Sequence, residues 1–416
     1  MSFIRSAIWK DQLKHLSQKR KKMVILSTYP VFHKAHGGML RVYHLYKNLE
    51  NKFDITIISF NYPHHRYQLQ VGNLTEIAIP PSEQHLLVQE KIQTELSIDI
   101  SDIMMERFSS LTPEYQHTVD EYLEQAEIIV AAQPYLFHLI EKCPRLDQKL
   151  IIYDSQNVEY ELKKSMLPNN EIAQLLLSQL FQLEQRACQQ SDLILTCTLN
   201  DSQQMQRLYE MNSDKFVLVP NGVDHTDQPF INYQQRQENK RKQGLSTETN
   251  IIFIGSGHPP NVDAVTEILK ISPLMPEFNF IIMGGLQTAF AQYPLPNNVL
   301  FTGRVDEYTK KQIYSIADIA INPMLQGSGS NLKLAEFMAH GIPVVSTAIG
   351  ARGYKIVEGE HLIISDLSEF PKQLRQLKDD PVLQQRLSSN ARLYIEKNYS
   401  WSSISKHLLS ALQKLL

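Results

Sequence analysis

Short apolar runs alternate with longer helical patterns along almost the whole chain. Runs such as Met23–Ser27, Asp54–Ser59 and Asn250–Ile254 show no regular apolar–polar alternation. That pattern indicates strands buried on both faces, as in parallel sheets. Because segments with helical spacing follow most of these runs, the sequence predicts an α/β fold with doubly wound sheets.

The chain is long enough for two such domains. Its 416 residues suit two domains of roughly 150–200 residues each. The turn Pro220–Asp224 stops the pattern, and the polar stretch Gln228–Gln243 has the composition of a linker and an exposed helix. We therefore predict a basic leader helix over 1–22, an N-terminal domain over 23–224 and a C-terminal domain over 225–397.

Charge and cysteine content exclude several classes of protein. With 41 Lys and Arg against 44 Asp and Glu, the chain lacks the basic excess of a dedicated nucleic-acid binder. Its three cysteines are far apart, which argues against a disulfide framework or a structural zinc site. There is no membrane-spanning apolar run and no secretory signal. We expect a cytoplasmic protein.

The first 22 residues carry seven basic side chains and a single acidic one, Asp11. Trp9, Leu13 and Leu16 share one face of the predicted leader helix. Such a helix is suited to peripheral contact with the anionic inner face of a membrane. The alternative is a solvated helix packed on its own domain.

The segment Gly327–Pro343 carries the clearest chemical pattern. It follows a predicted strand, contains a Gly/Ser loop and opens a helix at Asn331–Leu332. A helix start presents free backbone N–H groups and the positive end of the helix dipole, which together favour an anion. Lys333 adds a cation where a diphosphate would lie, and Glu336 can accept hydrogen bonds from a vicinal diol such as a ribose. The alternative is an ordinary capped amphipathic helix.

This segment resembles the donor-site signature of the glycosyl-group-1 family of glycosyltransferases, which have the GT-B architecture. Five further motifs resemble the family in the right order along the chain. They are Gly37-Gly38, the segment Tyr153–Glu159 (YDSQNVE), the turn Val219–Asp224 (VPNGVD), Phe253–Ala264 and Val299–Val305 (VLFTGRV). The resemblance implies two Rossmann-like domains facing a central cleft, with the last helix, about 398–416, returning to the N-terminal domain.

The resemblance also implies roles for individual residues. Glu336 matches the glutamate that binds the ribose in relatives, whereas Ser328 stands where many relatives have another glutamate. Gly255–His258 replaces the usual basic pair for the diphosphate, so Lys333 and Arg304 are expected to supply that charge. Gln156 replaces the commoner histidine of its motif.

The expected site residues fall into three groups. Those expected to take part in the reaction are Lys333, Glu336 and Arg304. Those expected to bind the donor are Gly38, Ser256, Gly303, Val305, Ser328, Gly329, Ser330, Asn331 and Leu332. Those expected on the acceptor side are His36, Gly37, Arg41, Gln133, Gln156 and Asn157. Arg41 is expected to bind a charged acceptor; the alternative is that it lies on a solvated helix face.

The resemblance implies transfer of a sugar from a nucleotide diphosphate sugar, with UDP or GDP as the expected nucleotide, to a carbohydrate or lipid-linked acceptor. It also implies retention of configuration, in surface polysaccharide or glycolipid assembly. The chain has no D-x-D pair, so we expect no metal and no cofactor besides the co-substrate. Two alternatives stay open: a catalytically silent GT-B module that binds a nucleotide or a partner, and a nucleotide-sugar 2-epimerase.

Overall fold

The computed structural model describes residues 20–62, 65–245, 249–327 and 329–416. Internal contacts divide the chain into two compact units. The first runs to Leu195 and includes Leu412–Leu416, and the second is Thr196–Ala411. The predicted domain boundary after Asp224 and the predicted return of the last helix stay predictions.

The predicted leader helix lies mostly outside the described residues, since 1–19 are not among them. Lys21 and Lys22, which we assigned to the leader, instead begin the first strand. Among the described residues, no helix combines the length and the apolarity that crossing a membrane requires.

The first unit is built around a mainly parallel sheet. Its strands are β1 (Lys21–Ser27), β2 (Phe53–Phe60), β3 (Tyr67–Val71), β4 (Leu74–Ile79), β5 (Ile128–Ala131), β6 (Leu150–Ser155) and β7 (Leu193–Thr196). Its helices are α1 (Gly37–Lys47), α2 (Glu83–Leu96), α3 (Met105–Phe108), α4 (Pro113–Gln125), α5 (Phe137–Ile140), α6 (Glu159–Met166) and α7 (Glu171–Gln190).

Within the first unit these strands lie in the order β3-β4-β2-β1-β5-β6-β7. Strand β1 is central and pairs in parallel with β2 and with β5, so that Met23 lies between Ile55 and Ile128. All three side chains are almost completely buried, as their unbroken apolar runs predict. The fold class inferred from the sequence, α/β with parallel sheets, is confirmed.

The second unit contains a short strand, β8 (Phe216–Leu218), and a parallel sheet of six strands in the order β11-β10-β9-β12-β13-β14. Those strands are β9 (Thr249–Ile254), β10 (Phe278–Met283), β11 (Val299–Gly303), β12 (Ile319–Asn322), β13 (Val344–Ser346) and β14 (Ile363–Ile364). The helices are α8 (Leu199–Leu208), α9 (Tyr233–Lys242), α10 (Pro259–Ile271), α11 (Glu307–Ile316), α12 (Leu332–Ala339), α13 (Phe370–Asp379), α14 (Pro381–Tyr399) and α15 (Trp401–Leu412).

Helix α9 corrects one expectation. The polar stretch Gln228–Gln243 predicts an exposed helix, yet Arg236 and Lys240 on α9 are buried. The Lys240 ammonium lies 2.6 Å from a carboxylate oxygen of Asp318, and Arg236 donates to the carbonyl oxygens of Ile231 and Gly341. Partners distant in sequence therefore allow a helix without an apolar face to pack against the core.

A buried ion pair joins α1 to the end of β6. The Arg41 guanidinium donates to Asp154 Oδ1 through Nε at 2.9 Å and through Nη2 at 2.6 Å. Tyr46 donates to Asp154 Oδ2 at 3.1 Å. Both charged residues are 0% exposed. This corrects the expected role of Arg41: the guanidinium neither reads an acceptor nor lies on a solvated face, because it is held inside the protein by Asp154.

We predict that Arg41→Ala lowers the free energy of unfolding by about 3–5 kcal/mol, because it leaves the buried Asp154 carboxylate without its counter-charge. Equilibrium denaturant unfolding measures the change. The matched control is Arg20→Ala, which removes an exposed arginine 3.8 Å from Asp54 and should cost less than about 1 kcal/mol. Equal losses for the two variants would contradict the prediction.

Candidate functional site

In the first unit, three of the predicted residues converge on Tyr29, just beyond the carboxyl end of β1. Gln133 Nε2 donates to the Tyr29 hydroxyl oxygen at 2.7 Å, and that hydroxyl donates to Gln156 Oε1 at 3.0 Å. Burial raises the pKa of Tyr29 well above its usual value, so the hydroxyl keeps its proton at neutral pH. The carboxyl ends of strands are where open α/β sheets bind ligands.

Gly38, the third of these residues, leaves room for this contact. A Cβ atom at position 38 would lie 2.1 Å from the Tyr29 hydroxyl oxygen and 2.6 Å from Gln156 Oε1. Any larger residue would therefore push these two polar groups apart. The structure gives Gly38 a packing role inside the polar cluster formed by Tyr29, Gln133 and Gln156.

The loop that carries Tyr29 is fixed by a buried carboxylate. Glu76 is completely buried on β4, and its two oxygens accept hydrogen bonds from the backbone N–H groups of Val31 and Phe32. The hydroxyls of Ser59 and Tyr67 donate to the same carboxylate. These four donors on one carboxylate hold the loop in place.

His36 and Gly37 lie at the other end of this loop, where α1 begins. His36 is the N-cap of α1, and its Nδ1 accepts from the Met39 backbone N–H at 3.5 Å. The His36 ring is exposed and meets the Tyr29 ring edge-on at a centroid distance of 4.6 Å. His36 therefore lies next to the polar cluster, and Gly37 is the first residue of α1.

Asn157, the residue after Gln156, contacts the buried carboxylate of Glu159. Its Nδ2 donates to Glu159 Oε1 at 3.2 Å, and Tyr135 donates to Glu159 Oε2 at 2.7 Å. Burial raises the pKa of Glu159 to about 7, against the opposing charge of Lys163. The Asn157 amide thus helps to fix the position of the Glu159 carboxylate.

In the second unit, the predicted Gly/Ser loop connects β12 to α12, and Asn331 is the N-cap of that helix. The Asn331 side chain makes no capping hydrogen bond. Its amide donates to Asn322 Oδ1 and to the Gly350 carbonyl, both at 3.2 Å. The side chain of Asn331 is therefore structural, and it does not occupy the N–H groups of the first turn, which starts at Leu332.

Lys333 lies in this first turn and is partly buried. Its ammonium donates to Asn261 Oδ1 at 2.7 Å and lies 4.1 Å from the centroid of the Phe253 ring. Burial lowers the pKa of Lys333 to about 7; the positive charge of Arg352 adds to this shift and Glu336 opposes it. A neighbouring anion would favour the charged form of this ammonium.

Glu336, one turn further along α12, already has two protein partners. Tyr314 donates to Glu336 Oε2 at 3.1 Å, and the Lys310 ammonium lies 3.7 Å from Oε1. Burial disfavours the charged form of Lys310, but the charges of Glu336 and Glu307 outweigh that effect and raise the pKa of Lys310. An ionised carboxylate has about four acceptor positions, so Glu336 retains capacity for ligand hydroxyls.

The other predicted donor-side residues lie on neighbouring loops. Arg304 is exposed, and a Cβ atom added at Gly285 would lie 3.3 Å from its Nε. The carbonyl of Gly303 accepts from the Gly284 backbone N–H, and Val305 packs against the core. Ser256 accepts from the Asn261 amide through its carbonyl. Ser328 lies outside the described residues, and the Gly329 carbonyl accepts from Arg352.

Sequence reasoning missed Tyr29 and the role of Asn261 in this arrangement. Tyr29 comes two residues after a buried strand, a position that could have singled it out. Asn261 lies in the first turn of α10 within a segment already matched to the family, and it connects Ser256 to Lys333. Among the described residues, no group of three or more His, Cys, Asp or Glu side chains could hold a metal ion.

Residues 248–380 match the family model described as glycosyl transferases group 1. This segment resembles that family over 133 of the 416 residues of the chain. It contains Asn261, Arg304, Lys333, Glu336 and Arg352, so the family match and the second unit's site residues coincide. The predicted family resemblance is confirmed.

Part of the chain is also similar to a curated protein. An uncharacterized 44.6 kDa protein in the cps region of Klebsiella pneumoniae is 29% identical over 180 residues, which are 40% of this chain and 45% of that protein. The chain thus spans less than half the length of this curated relative.

Solved structures extend the likeness to nearly the whole chain. HepE of Anabaena, in complex with UDP and glucose, is 12% identical and has a TM-score of 0.67, covering 95% of this chain and 100% of HepE. WaaG, a glycosyltransferase involved in lipopolysaccharide biosynthesis, is 15% identical with a TM-score of 0.65, covering 92% and 98%. At these identities the likeness establishes the fold, which is GT-B as expected.

We predict that Lys333 titrates near pH 7 in the free protein. Competitive labelling with an amine-specific reagent across pH, with exposed Lys372 as the internal reference, measures the midpoint. Glu336→Gln should move the midpoint lower, because the Glu336 charge favours the ammonium. A midpoint near the usual lysine value of 10.5 would contradict the prediction.

Proposed function

We propose that this protein is a glycosyltransferase that moves a sugar from a nucleotide diphosphate sugar to an acceptor hydroxyl. The bond between the anomeric carbon and the diphosphate breaks, a bond from that carbon to the acceptor oxygen forms, and the hydroxyl proton is released. The family match of residues 248–380 supports this class of reaction. The proposal places the donor in the second unit and the acceptor in the first.

The observation that carries the proposal is the Lys333 ammonium in the first turn of α12. Lysine at a helix N-terminus is mildly unfavourable by itself, because the helix dipole is positive there. A diphosphate would receive both the ammonium and the first-turn N–H groups. Charge fixed in this way stabilises the leaving group as negative charge develops on it. Exposed Arg304 is proposed to add a second cation.

Glu336 is proposed to accept hydrogen bonds from the ribose, and Ser256, Gly303, Val305, Gly329, Ser330 and Leu332 to surround the donor. HepE, which has the same fold, binds UDP, and this favours UDP over GDP as the nucleotide. Retention follows from the family resemblance alone. Metal independence is proposed because the chain lacks a D-x-D pair and has cations in its place.

On the acceptor side, the polar cluster of Tyr29, Gln133 and Gln156 is proposed to orient the attacking hydroxyl. Orientation of two reactants is a major source of rate enhancement. WaaG acts in lipopolysaccharide biosynthesis, which favours a surface polysaccharide or glycolipid as the product. A lipid-linked acceptor would bring a cytoplasmic enzyme to the inner face of the membrane, and the basic residues of the N-terminus suit that surface.

We predict that UDP-glucose binds the wild-type protein and that Lys333→Ala weakens the affinity roughly 10- to 100-fold, since a hydrogen bond to a charged group contributes about 1.5–3 kcal/mol. Isothermal titration calorimetry with UDP-, GDP-, TDP- and ADP-glucose measures both effects. Lys372→Ala, which removes an exposed lysine of the same unit, is the matched control and should bind like the wild type.

Glu336→Gln should weaken the binding of UDP more than that of 2′,3′-dideoxy-UDP, because the dideoxy ligand lacks the proposed partner hydroxyls and is affected only through the lower pKa of Lys333. Donor turnover without an acceptor separates the alternatives: free epimer would identify a 2-epimerase. Nucleotide binding without any transfer to a broad set of acceptors would favour a silent module. No binding of any nucleotide sugar would overturn the proposal.

The affinity for the nucleotide sugar should fall as the pH rises through 7. The free Lys333 has a pKa of about 7, and a bound diphosphate raises that value, so binding takes up a proton between the two pKa values. The affinity then drops up to about tenfold per pH unit in this window. A nucleotide sugar is the right ligand because its phosphates lack the second ionisation, near pH 6, of a terminal phosphate. Lys333→Arg should remove the pH dependence, and an equal slope in both proteins would refute this assignment.

A further inference from the structure

Arg352 approaches the donor loop from the segment that follows β13. The side chain is half-buried. Its Nε donates to the Gly329 carbonyl at 3.1 Å, and its Nη1 donates to the Ile349 carbonyl at 2.9 Å. The guanidinium therefore connects the loop before α12 to the loop after β13.

Gly327 shows how closely the donor loop fits this side chain. A Cβ atom at position 327 would lie 2.3 Å from Arg352 Nη2 and 3.0 Å from Cζ, and the backbone φ is +136°. L-residues with a side chain rarely adopt that φ, and glycine adopts it without a steric penalty. The loop thus follows a path that only glycine allows, directly against the planar guanidinium.

Asp201 interacts with the backbone of the same residue, Gly329. Asp201 lies on α8 and is almost completely buried. Burial raises the pKa of Asp201, and hydrogen bonds, including one with the Gly329 backbone, together with the charge of Arg352 oppose the shift. The Gly329 backbone is therefore held by a carboxylate and by a guanidinium at once. Gly353 packs closely against the next residue of the loop, because a Cβ atom at position 353 would lie 2.4 Å from Ser330 Cβ.

Arg352 also acts on Lys333 through its charge. Its charge adds to the burial that lowers the pKa of Lys333, and Glu336 opposes both. The side chains in direct contact with the Lys333 ammonium are uncharged: Asn261 from α10, Phe253 from β9 and Met324 after β12. Arg352 and Glu336 are thus the charged groups that set the electrostatic environment of this ammonium within the described part of the chain.

We propose that Arg352 is a positioning residue of the donor site, which holds the Gly329 carbonyl so that the next backbone N–H groups of the loop and the Lys333 ammonium face the same diphosphate. This inference rests on the proposed function. The planar fork of arginine can reach two carbonyl oxygens in a fixed geometry, which a lysine ammonium cannot reproduce. In this chain, where Gly255–His258 lacks the expected basic pair, the backbone donors of the fixed loop add to the charge of Lys333 and Arg304.

The test compares Arg352→Gln and Arg352→Lys with the wild type in calorimetric titrations with UDP-glucose, alongside the labelling midpoint of Lys333. Arg352→Gln should weaken binding at least tenfold and move the Lys333 midpoint upward, because a positive charge is removed. Arg352→Lys should keep the midpoint but weaken binding at least fivefold, because the two-carbonyl contact is lost. Arg386→Gln, which removes an exposed arginine of the same unit, should change neither quantity.

Wild-type affinity in Arg352→Gln, with an unchanged Lys333 midpoint, overturns the inference. If Arg352→Gln does not fold, Arg352→Lys decides: a folded variant with wild-type affinity overturns the inference, and one with weaker binding at an unchanged melting temperature supports it. Absence of nucleotide-sugar binding in the wild type would instead refute the proposed function, and the role of Arg352 with it.

Discussion

The burial of parallel strands on both faces is the constraint from which the arrangement of each unit follows. Strands β1, β5, β9 and β12 present apolar side chains to both sides, so helices must cover both faces of each sheet. The chain can then expose polar groups at the strand ends, and all strands of a parallel set end at the same edge. Tyr29 follows β1, Gln133 follows β5, and Gln156 follows β6.

This constraint explains why much of the fold could be predicted. The central strands are recognisable because they are unbroken apolar runs, and α12 because a Gly/Ser loop precedes an apolar helical pattern. Strand β3 was missed because it is largely exposed and pairs antiparallel with β4, so its sequence YQLQV lacks the apolar run used to find the others. Helix α9 was predicted, but its buried cations were not, since their partners Asp318 and Gly341 are distant in sequence.

The candidate site could likewise be predicted only in part. Lys333 and Glu336 are close in sequence, so their spacing on one helix could be read directly. Lys333 contacts Asn261 and Phe253, which are far from it in the sequence. No local sequence pattern therefore contains these contacts. Arg41 was misassigned for this reason, because its partner Asp154 lies on another element. The tuning of the Lys333 pKa by burial and by Arg352 could likewise not be read from residue identities, since it depends on solvent exclusion.

The Arg41–Asp154 pair has a consequence for how this sequence can change during evolution. A single substitution at either position leaves a buried charge without compensation, so a lineage that replaces one residue passes through a poorly folded ancestor before the second change arrives. Descendant sequences should therefore either retain both residues or have replaced both together. The two positions form one inherited unit, although 113 positions separate them along the chain.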